Sequence, residues 1–424
     1  MTKVQSPKYS DILDTLAQLF PNGEIRGSRI AANPEGFRLV PGRARPKIIV
    51  PAGSPLAAAD AVNRPAAGDS ALRQLGRRAL ASLLRSPFGW TVMRSGIRVS
   101  GESDSIVRYL SDLHGEPVRI SMTIGAPRAN RKPVLNVHTL DGTEVGFAKV
   151  GLTELTNTLV RHEHNVLSLL ARKKETPFQT PVPLHTGRWQ GHEVLLMTAL
   201  RTQRSSKIPH GPWGAAAAIA VGDGLSEHRL STSRWLVRLS ERCAEVNCQQ
   251  RDALLRLFES FSAVYGNYVL PFGSWHGDFG PWNLNVRDGI PMIWDWERYQ
   301  TDVPLGIDAV HYSAHKTLRQ TNDMTRARQV LTDNAYDALN NTLSLTGWST
   351  AEPRRTFILE AIISGYLLMI ATRFAVDGVA TGNRPVQELG DWYQRVLADR
   401  LNTAGLDAGR AGRLGCNTGV GPPP

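Results

Sequence analysis

The strongest constraint on the fold is a short stretch in which a polar loop runs directly into the pattern of a β-hairpin. The loop covers residues 275–283 and contains Asp278 and, five positions later, Asn283. Two short apolar strand patterns follow, separated by Arg287-Asp288-Gly289, where glycine suits a positive φ. The returning strand ends just before Asp295. The sequence therefore predicts a hairpin that brings this carboxylate back beside Asn283.

These residue types suit the handling of a metal ion and a proton. An amide and a carboxylate at one end of a two-stranded ribbon offer the hard oxygen ligands that magnesium prefers. Asp278, in the order His-x-Asp-x-x-x-x-Asn, can orient an attacking hydroxyl and accept its proton. A single motif of this kind is usually a helix cap or a turn. Here the His-x-Asp, the asparagine, the hairpin and the second aspartate coincide, and together they predict phosphoryl transfer.

The two motifs resemble those of the aminoglycoside phosphotransferase and choline kinase superfamily, over residues 134–401. The resemblance implies that Asp278 is the catalytic base, that Asn283 and Asp295 bind Mg²⁺, and that His276 is structural. It further implies ATP or GTP as the phosphoryl donor, and Asp308 as a brace for the catalytic loop. The second aspartate stands in Asp-Trp-Glu, so the resemblance favours small-molecule kinases over protein kinases of the eukaryotic type.

A strand and a helix upstream supply a lysine and an acid. Residues 145–150 alternate as a strand that contains Lys149, and Thr153 is a predicted N-cap for a helix over 153–173. Glu163 falls within the apolar stripe of that helix, which is formed by Leu155, Leu159, Val166, Leu167 and Leu170. A buried carboxylate needs a cationic partner, and Lys149 is the candidate. The alternative is that Glu163 faces water. By the resemblance, the pair positions the α- and β-phosphates.

Two other parts of a nucleotide site have weak signals. A turn over 125–130 is predicted to cover the phosphates through backbone amides, helped by Ser121 or by a basic cluster that equally fits a solvated turn. That cluster consists of Arg128, Arg131 and Lys132. By the resemblance, the purine would bind backbone groups at the end of a predicted edge strand, at Met197, Thr198, Ala199 and Leu200. A plain buried strand explains residues 195–196 equally well.

The chain of 424 residues is too long for one small core. We predict an α+β, two-lobed fold like that of protein kinases, with a mainly β N-lobe over 111–200 and a mainly helical C-lobe over 201–402. Residues 1–110 form an N-terminal extension or accessory subdomain, and residues 403–424 a disordered tail.

Charge and composition narrow the partners. The net charge of +11 is concentrated in the N-terminal part, but no DNA- or RNA-binding signature accompanies it, so nucleic acid is not favoured. The C-terminal acids are interleaved with arginines, which does not favour an aminoglycoside. We predict a cytoplasmic protein without a membrane partner. The three cysteines suit a reducing compartment, and the N-terminus has no signal-peptide pattern. The apolar stretch 361–372 is too short to span a bilayer.

Two other functional classes stay open. One is a catalytically weak binding module that keeps a kinase fold. The other is a metallohydrolase that uses His276 and Asp278 together with His311 and His315, which are four apart. For the kinase, the expected partners are a nucleotide and a small molecule with a hydroxyl group. The identity of that acceptor, the choice of ATP or GTP, the oligomeric state and any role in antibiotic resistance stay open.

Overall fold

The computed structural model describes residues 9–29, 36–42, 46–64, 71–86, 89, 95–101, 103–124, 131–173, 175–201, 208–246, 249–320, 324–381 and 384–415. The chain divides into two compact units. Of the described residues, those within 3–208 and 281–298 form the sheet unit, and those within 209–280 and 299–415 form the helical unit. The α+β class predicted from the sequence is confirmed, with an antiparallel sheet in one unit and mainly helices in the other.

The sheet unit is built on nine described strands in the order β1-β4-β2-β3-β5-β6-β7-β9-β8. These are β1 (Glu24–Arg29), β2 (Phe37–Val40), β3 (Ile48–Pro51), β4 (Ser95–Ser100), β5 (Val118–Thr123), β6 (Val134–Thr139), β7 (Glu144–Val150), β8 (Pro183–Trp189) and β9 (His192–Met197). The helices are α1 (Tyr9–Leu19), α2 (Pro55–Asn63), α3 (Ala71–Arg85), α4 (Ile106–His114) and α5 (Glu154–Ala171).

Residues 1–110 share this sheet with residues 111–200. Strand β3 pairs with β5, so that Ile48 lies opposite Thr123 and Ile49 opposite Met122. Four strands from the first 110 residues thus extend the sheet that contains Lys149, while the division of the chain at residue 110 stays a prediction. The expectation that β9 is an edge strand is wrong, because β9 lies between β7 and β8. Its fully buried run Val194–Leu196 fits such an inner position.

One face of the sheet forms an apolar core. Helices α1 and α4 contribute residues such as Leu16 and Leu110 to this core, which also contains Ala148 and Val150 of β7. Successive side chains of a strand point to opposite faces, so Lys149 lies on the face away from this core. The sequence thereby places a charged residue of a central strand where polar partners can reach it.

The helical unit contains α6 (Gly211–Val221), α7 (Arg234–Glu245), α8 (Arg251–Tyr265), α9 (Ile307–Gln320), α10 (Met324–Leu345), α11 (Arg354–Thr381) and α12 (Arg384–Gly415). A small sheet joins β10 (Ser226–Arg229), β11 (Val269–Trp275) and β14 (Gln300–Pro304). The apolar core packs α11 and α12 against α7–α10, with Phe261, Tyr366 and Tyr393 among its largest side chains.

The apolar part of α11 is longer than the stretch 361–372 taken from the sequence. The segment Arg354–Gly378 is long and apolar enough to cross a membrane by length and composition alone. The apolar part is longer because the helix continues without interruption on both sides of that stretch. Within the structure, 78% of its most apolar window is buried, which is typical of the core helix of a soluble protein.

The last described helix reaches into the segment predicted to be a disordered tail. Helix α12 continues to Gly415, whereas the tail was predicted from residue 403. Residues 416–424 lie outside the described part of the chain.

Candidate active site

The hairpin predicted between Asn283 and Asp295 is confirmed. Strands β12 (Leu284–Arg287) and β13 (Ile290–Ile293) pair antiparallel, with Leu284 opposite Ile293. The turn between them has positive φ at both Asp288 (53°) and Gly289 (81°), as a two-residue hairpin turn of type I′ requires. The backbone N–H of Trp294 then donates to the carbonyl of Asn283, at 3.2 Å. The chain segment that ends in Asp295 therefore returns beside Asn283.

Asp295 follows this hairpin in a left-handed conformation, with φ of 71°. Such a conformation is uncommon outside glycine and is found preferentially at functional sites. The next residue, Trp296, fixes it: the Trp296 backbone N–H donates to Glu163 at 3.2 Å, and its indole N–H donates to the carbonyl of Ile293 at 3.0 Å. The Trp296 ring is fully buried and stacks on Phe178. The aspartate is thus held by the packing of its neighbour.

Lys149 makes the predicted pair with Glu163. Its ammonium lies 2.6 Å from each Glu163 oxygen and 2.7 Å from Asp295 Oδ1. Glu163 is fully buried, so the alternative in which it faces water is wrong. Thr153 caps helix α5 as predicted and thereby sets the start of the helix that carries Glu163. Burial by itself would lower the pKa of Lys149, but the charges of Asp295 and Glu163 hold that pKa well above its usual value.

A second lysine lies in the same cluster. Lys132, for which the sequence also allowed a solvated turn, is ion-paired with Glu297, and their side chains are only 6% and 4% exposed. Burial lowers the pKa of Lys132 to about 8. Carboxylate oxygens of Glu163, Asp295 and Glu297 lie within 4.8 Å of one another. We call these three acids, with Lys132 and Lys149, the lysine–carboxylate cluster.

Sequence reasoning missed Glu297 as a member of this cluster. Its position only two residues after Asp295 was the available signal. Lys132 offered no comparable signal, since its burial depends on a partner more than 160 positions away in sequence. The turn 125–130 predicted to cover the phosphates, including Arg128, lies outside the described residues.

The candidate hinge begins where β9 ends. Met197 lies opposite Phe147 of β7, and the Thr198 N–H donates to the Val182 carbonyl at 2.9 Å. Ala199 and Leu200 follow outside the strand. The carbonyl of Leu200 accepts a hydrogen bond from Arg64 at 3.0 Å, and the Arg64 guanidinium lies 4.3 Å over the Phe147 ring. The four hinge candidates thus leave the sheet beside the strand of Lys149, and their role in purine binding stays a prediction.

In the helical unit, the loop that carries Asp278 is fixed by a buried carboxylate. Asp308 accepts hydrogen bonds from the backbone N–H groups of His276, at 2.6 Å, and Gly277, at 3.2 Å. Arg373 donates to the Gly277 carbonyl at 3.0 Å. Gly277 has φ of 84°, a conformation that glycine adopts without strain. The bracing role expected for Asp308 is therefore confirmed.

Asp278 itself is partly accessible, with 28% of its side chain exposed. Its backbone N–H donates to His276 Nδ1, and its carboxylate lies 3.4 Å from His311 Nε2. The other ring nitrogen of His311 is hydrogen-bonded to the Tyr366 hydroxyl, at 3.3 Å. Burial tends to raise the pKa of Asp278, but the hydrogen bond and charge of His311, with Arg373 behind it, hold that pKa far below its usual range. Asp278 is thus an ionised carboxylate with a fixed orientation.

For the catalytic activity proposed below, we expect kcat/KM to fall as the pH drops below about 7, because burial raises the pKa of Asp308 to about 7. A raised pKa means that Asp308 gains a proton below that pH and loses acceptor capacity for the N–H groups of His276 and Gly277. Asp278, with its lowered pKa, stays ionised over the same range. A profile of kcat/KM from about pH 6 to 9 should show this acidic limb. Asp308→Asn should abolish this fall in kcat/KM at low pH. A wild-type profile that is flat from about pH 6 to 9 would contradict the assignment of the fall to protonation of Asp308.

The geometry offers little to the metallohydrolase alternative. Among the described residues, two sets of three His, Cys, Asp or Glu side chains could hold a metal ion. One is Glu163, Asp295 and Glu297, and the other is Asp60, His138 and Glu144. Neither set contains the histidines considered from the sequence, His276, His311 and His315.

No family model and no curated protein matches this chain. Several solved structures do. Aminoglycoside phosphotransferase APH(4)-Ia, in its apo form, is 12% identical over 70% of this chain and 99% of its own length, with a TM-score of 0.45. The GDP and kanamycin complex of APH(2")-IIia is 13% identical over 66% and 93%, with a TM-score of 0.41. Spectinomycin phosphotransferase APH(9)-Ia, with ADP and spectinomycin, is 10% identical over 70% and 97%, with a TM-score of 0.37.

These solved structures are phosphotransferases of the class that the sequence motifs resemble. At these identities and scores, the likeness is one of fold only and transfers no residue role, substrate or nucleotide to this chain. The functional assignment below is therefore argued from the site residues themselves.

Proposed function

We propose that the protein transfers the γ-phosphoryl group of ATP or GTP to a hydroxyl group of a small molecule. The observation that carries the proposal is the buried Lys149, which is bonded to Glu163 and to Asp295 at the end of the hairpin. A lysine fixed by an acid on the following helix, beside a second carboxylate, is the constellation that kinases of the protein-kinase type use to hold the nucleotide phosphates. The left-handed backbone at Asp295 is a further feature that is enriched at functional sites.

The side chains present fit a magnesium site. Asn283 is buried at the start of the hairpin and Asp295 stands at its end, so that an amide and a carboxylate oxygen come from adjacent chain segments. Both are hard oxygen ligands of the kind that Mg²⁺ takes. When bound, the ion would neutralise charge on the nucleotide phosphates. Lys149 would steady the α- and β-phosphates, and Glu163 would keep Lys149 in place.

Asp278 would act on the acceptor. Its ionised carboxylate orients the acceptor hydroxyl and takes the hydroxyl proton while the new O–P bond forms and the bond from the γ-phosphorus to the nucleoside diphosphate breaks. The electron pair of the broken bond leaves with the diphosphate. Asp308 and Arg373 hold the backbone of this loop, so the carboxylate needs little reorganisation during the reaction.

The decisive experiment is a screen for nucleoside diphosphate release. Purified protein, Mg²⁺ and either ATP or GTP would be combined with a panel of antibiotics, sugars, amino alcohols and homoserine-like compounds. Release of ADP or GDP that depends on one hydroxyl compound would support the proposal and name the acceptor class. A protein that binds the Mg²⁺–nucleotide but never turns over would instead fit the binding-module alternative.

We also propose a cytoplasmic location, supported by the burial of the apolar helix α11.

Replacing Asp295 by alanine should weaken the binding of magnesium–nucleotide by about ten- to a hundredfold, the size expected for a lost contact with a charged group. Binding of the nucleotide without Mg²⁺ should change much less, because Lys149 keeps Glu163 as its partner. Calorimetric titrations with and without Mg²⁺ would measure both quantities. The exposed Asp288, in the turn of the same hairpin, provides a control in Asp288→Asn, because asparagine also tolerates the positive φ of this position. Equal affinities of wild type and Asp295→Ala would remove Asp295 from the metal site.

A further inference from the structure

The lysine–carboxylate cluster contains two lysine–glutamate pairs. Lys149 pairs with Glu163, and Lys132, directly before β6, pairs with Glu297. All four side chains are at most 7% exposed. Their acids converge with Asp295 on one small region, where carboxylate oxygens lie within 4.8 Å of one another. The proposed function uses the first pair and leaves the second without a role.

A structural role alone explains the second pair poorly. Removing two charged groups from water costs several kcal/mol per ion, and a buried ion pair is often no more stabilising than apolar residues of similar size. The ammonium of a lysine also carries three N–H donors, and the contact of Lys132 with Glu297 Oε2 uses one of them. A buried lysine of this kind has capacity for a further anionic partner.

Formal charges indicate what that partner would be. The three carboxylates and two ammonium groups of the cluster leave one negative charge. A divalent cation at Asp295 would turn this into one positive charge. The metal-loaded cluster would therefore attract a polyanion. Because Lys132 and Glu297 cancel each other's charge, Lys132 would contribute a direct contact to that polyanion and no net charge.

We propose that Lys132 is a second phosphate-binding lysine, which Glu297 holds in position to contact the nucleotide phosphates beyond the first. The inference rests on the proposed function and extends it. Lys149 and Lys132 then belong to one acidic cluster, each with its own glutamate. The ammonium of Lys132 exchanges a contact within the protein for a charge-assisted hydrogen bond to a phosphate oxygen.

The test is a comparison of nucleotides that differ only in phosphate number. With Lys132→Met, which keeps the unbranched shape of the side chain but lacks the ammonium, we expect ATP and ADP, each with Mg²⁺, to bind about ten- to a hundredfold more weakly, while AMP binds as in the wild type. Lys132→Arg should recover part of the loss. Lys316→Met, at an exposed lysine of α9, should leave all three affinities unchanged.

A double variant separates phosphate binding from folding. Lys132→Met leaves the carboxylate of Glu297 buried without its cation, so the single variant is expected to have a lower melting temperature whether or not Lys132 binds phosphate. Lys132→Met/Glu297→Gln removes both charges and should regain the melting temperature, yet its affinity for ATP should stay low. Wild-type affinity for ATP in the double variant, or equal losses for AMP and ATP in the single variant, would overturn the inference and leave the proposed kinase standing. A wild-type protein that binds neither ATP nor GTP would overturn both.

Discussion

Asp278→Ala should lower turnover by about three orders of magnitude, within the range that a general base contributes, while the affinity for magnesium–nucleotide stays near that of the wild type. The reason is that Asp278 contacts His276 and His311 in the helical unit, whereas Lys149, Glu163 and Asp295 bind one another within the sheet unit. Steady-state turnover with the acceptor found in the screen, together with calorimetry of nucleotide binding, measures both quantities.

Asp278→Asn serves as the matched variant, because it keeps the size of the side chain and its contact with His311 but lacks the basic carboxylate. Both variants should fold normally, since the brace on the loop comes from Asp308 and Arg373. If Asp278→Asn retained most of the wild-type turnover, the proton would have another acceptor and the assignment of the base would be wrong. If nucleotide affinity fell in parallel with turnover, Asp278 would belong to nucleotide binding instead.

The parts of the site that the sequence predicted correctly are those with local signals. The hairpin could be predicted because Asp288 and Gly289 suit the two positive φ angles of a tight turn between two short strands. The start of helix α5 could be predicted because threonine, here Thr153, is a common N-cap residue. Glu163 followed from the same local logic, since an acid within an apolar stripe needs a cation and the preceding strand offers Lys149.

The parts that escaped prediction depend on pairings between distant segments. Strand β4 lies between β1 and β2, and β3 lies beside β5, an order that no local pattern encodes. The inner position of β9 and the burial of Lys132 follow from such pairings as well. A basic residue beside a turn is solvated unless a remote acid covers it, and only the folded chain shows that Glu297 does so.

Glu163→Ala should destabilise the protein by about 3–5 kcal/mol, the typical effect of removing one partner from a buried ion pair. Glu163 is fully buried, accepts two contacts from Lys149 and one from the Trp296 N–H, and all three are lost at once. Lys149 then keeps its ion pair with the partly exposed Asp295. Denaturant unfolding followed by tryptophan fluorescence would report the loss as a lower midpoint.

A double variant at residues 149 and 163 separates the effect of the ion pair on stability from its effect on turnover. In the double variant Lys149→Met/Glu163→Leu, apolar groups replace the ion pair, so stability should return toward the wild-type value, because exchanging a buried ion pair for apolar residues is often neutral. Turnover should stay absent, since no ammonium remains at residue 149 to contact the phosphates. Recovery of turnover in the double variant would show that the pair serves folding alone. A single Glu163→Ala variant that unfolds at the wild-type midpoint would show that the pair contributes no net stability.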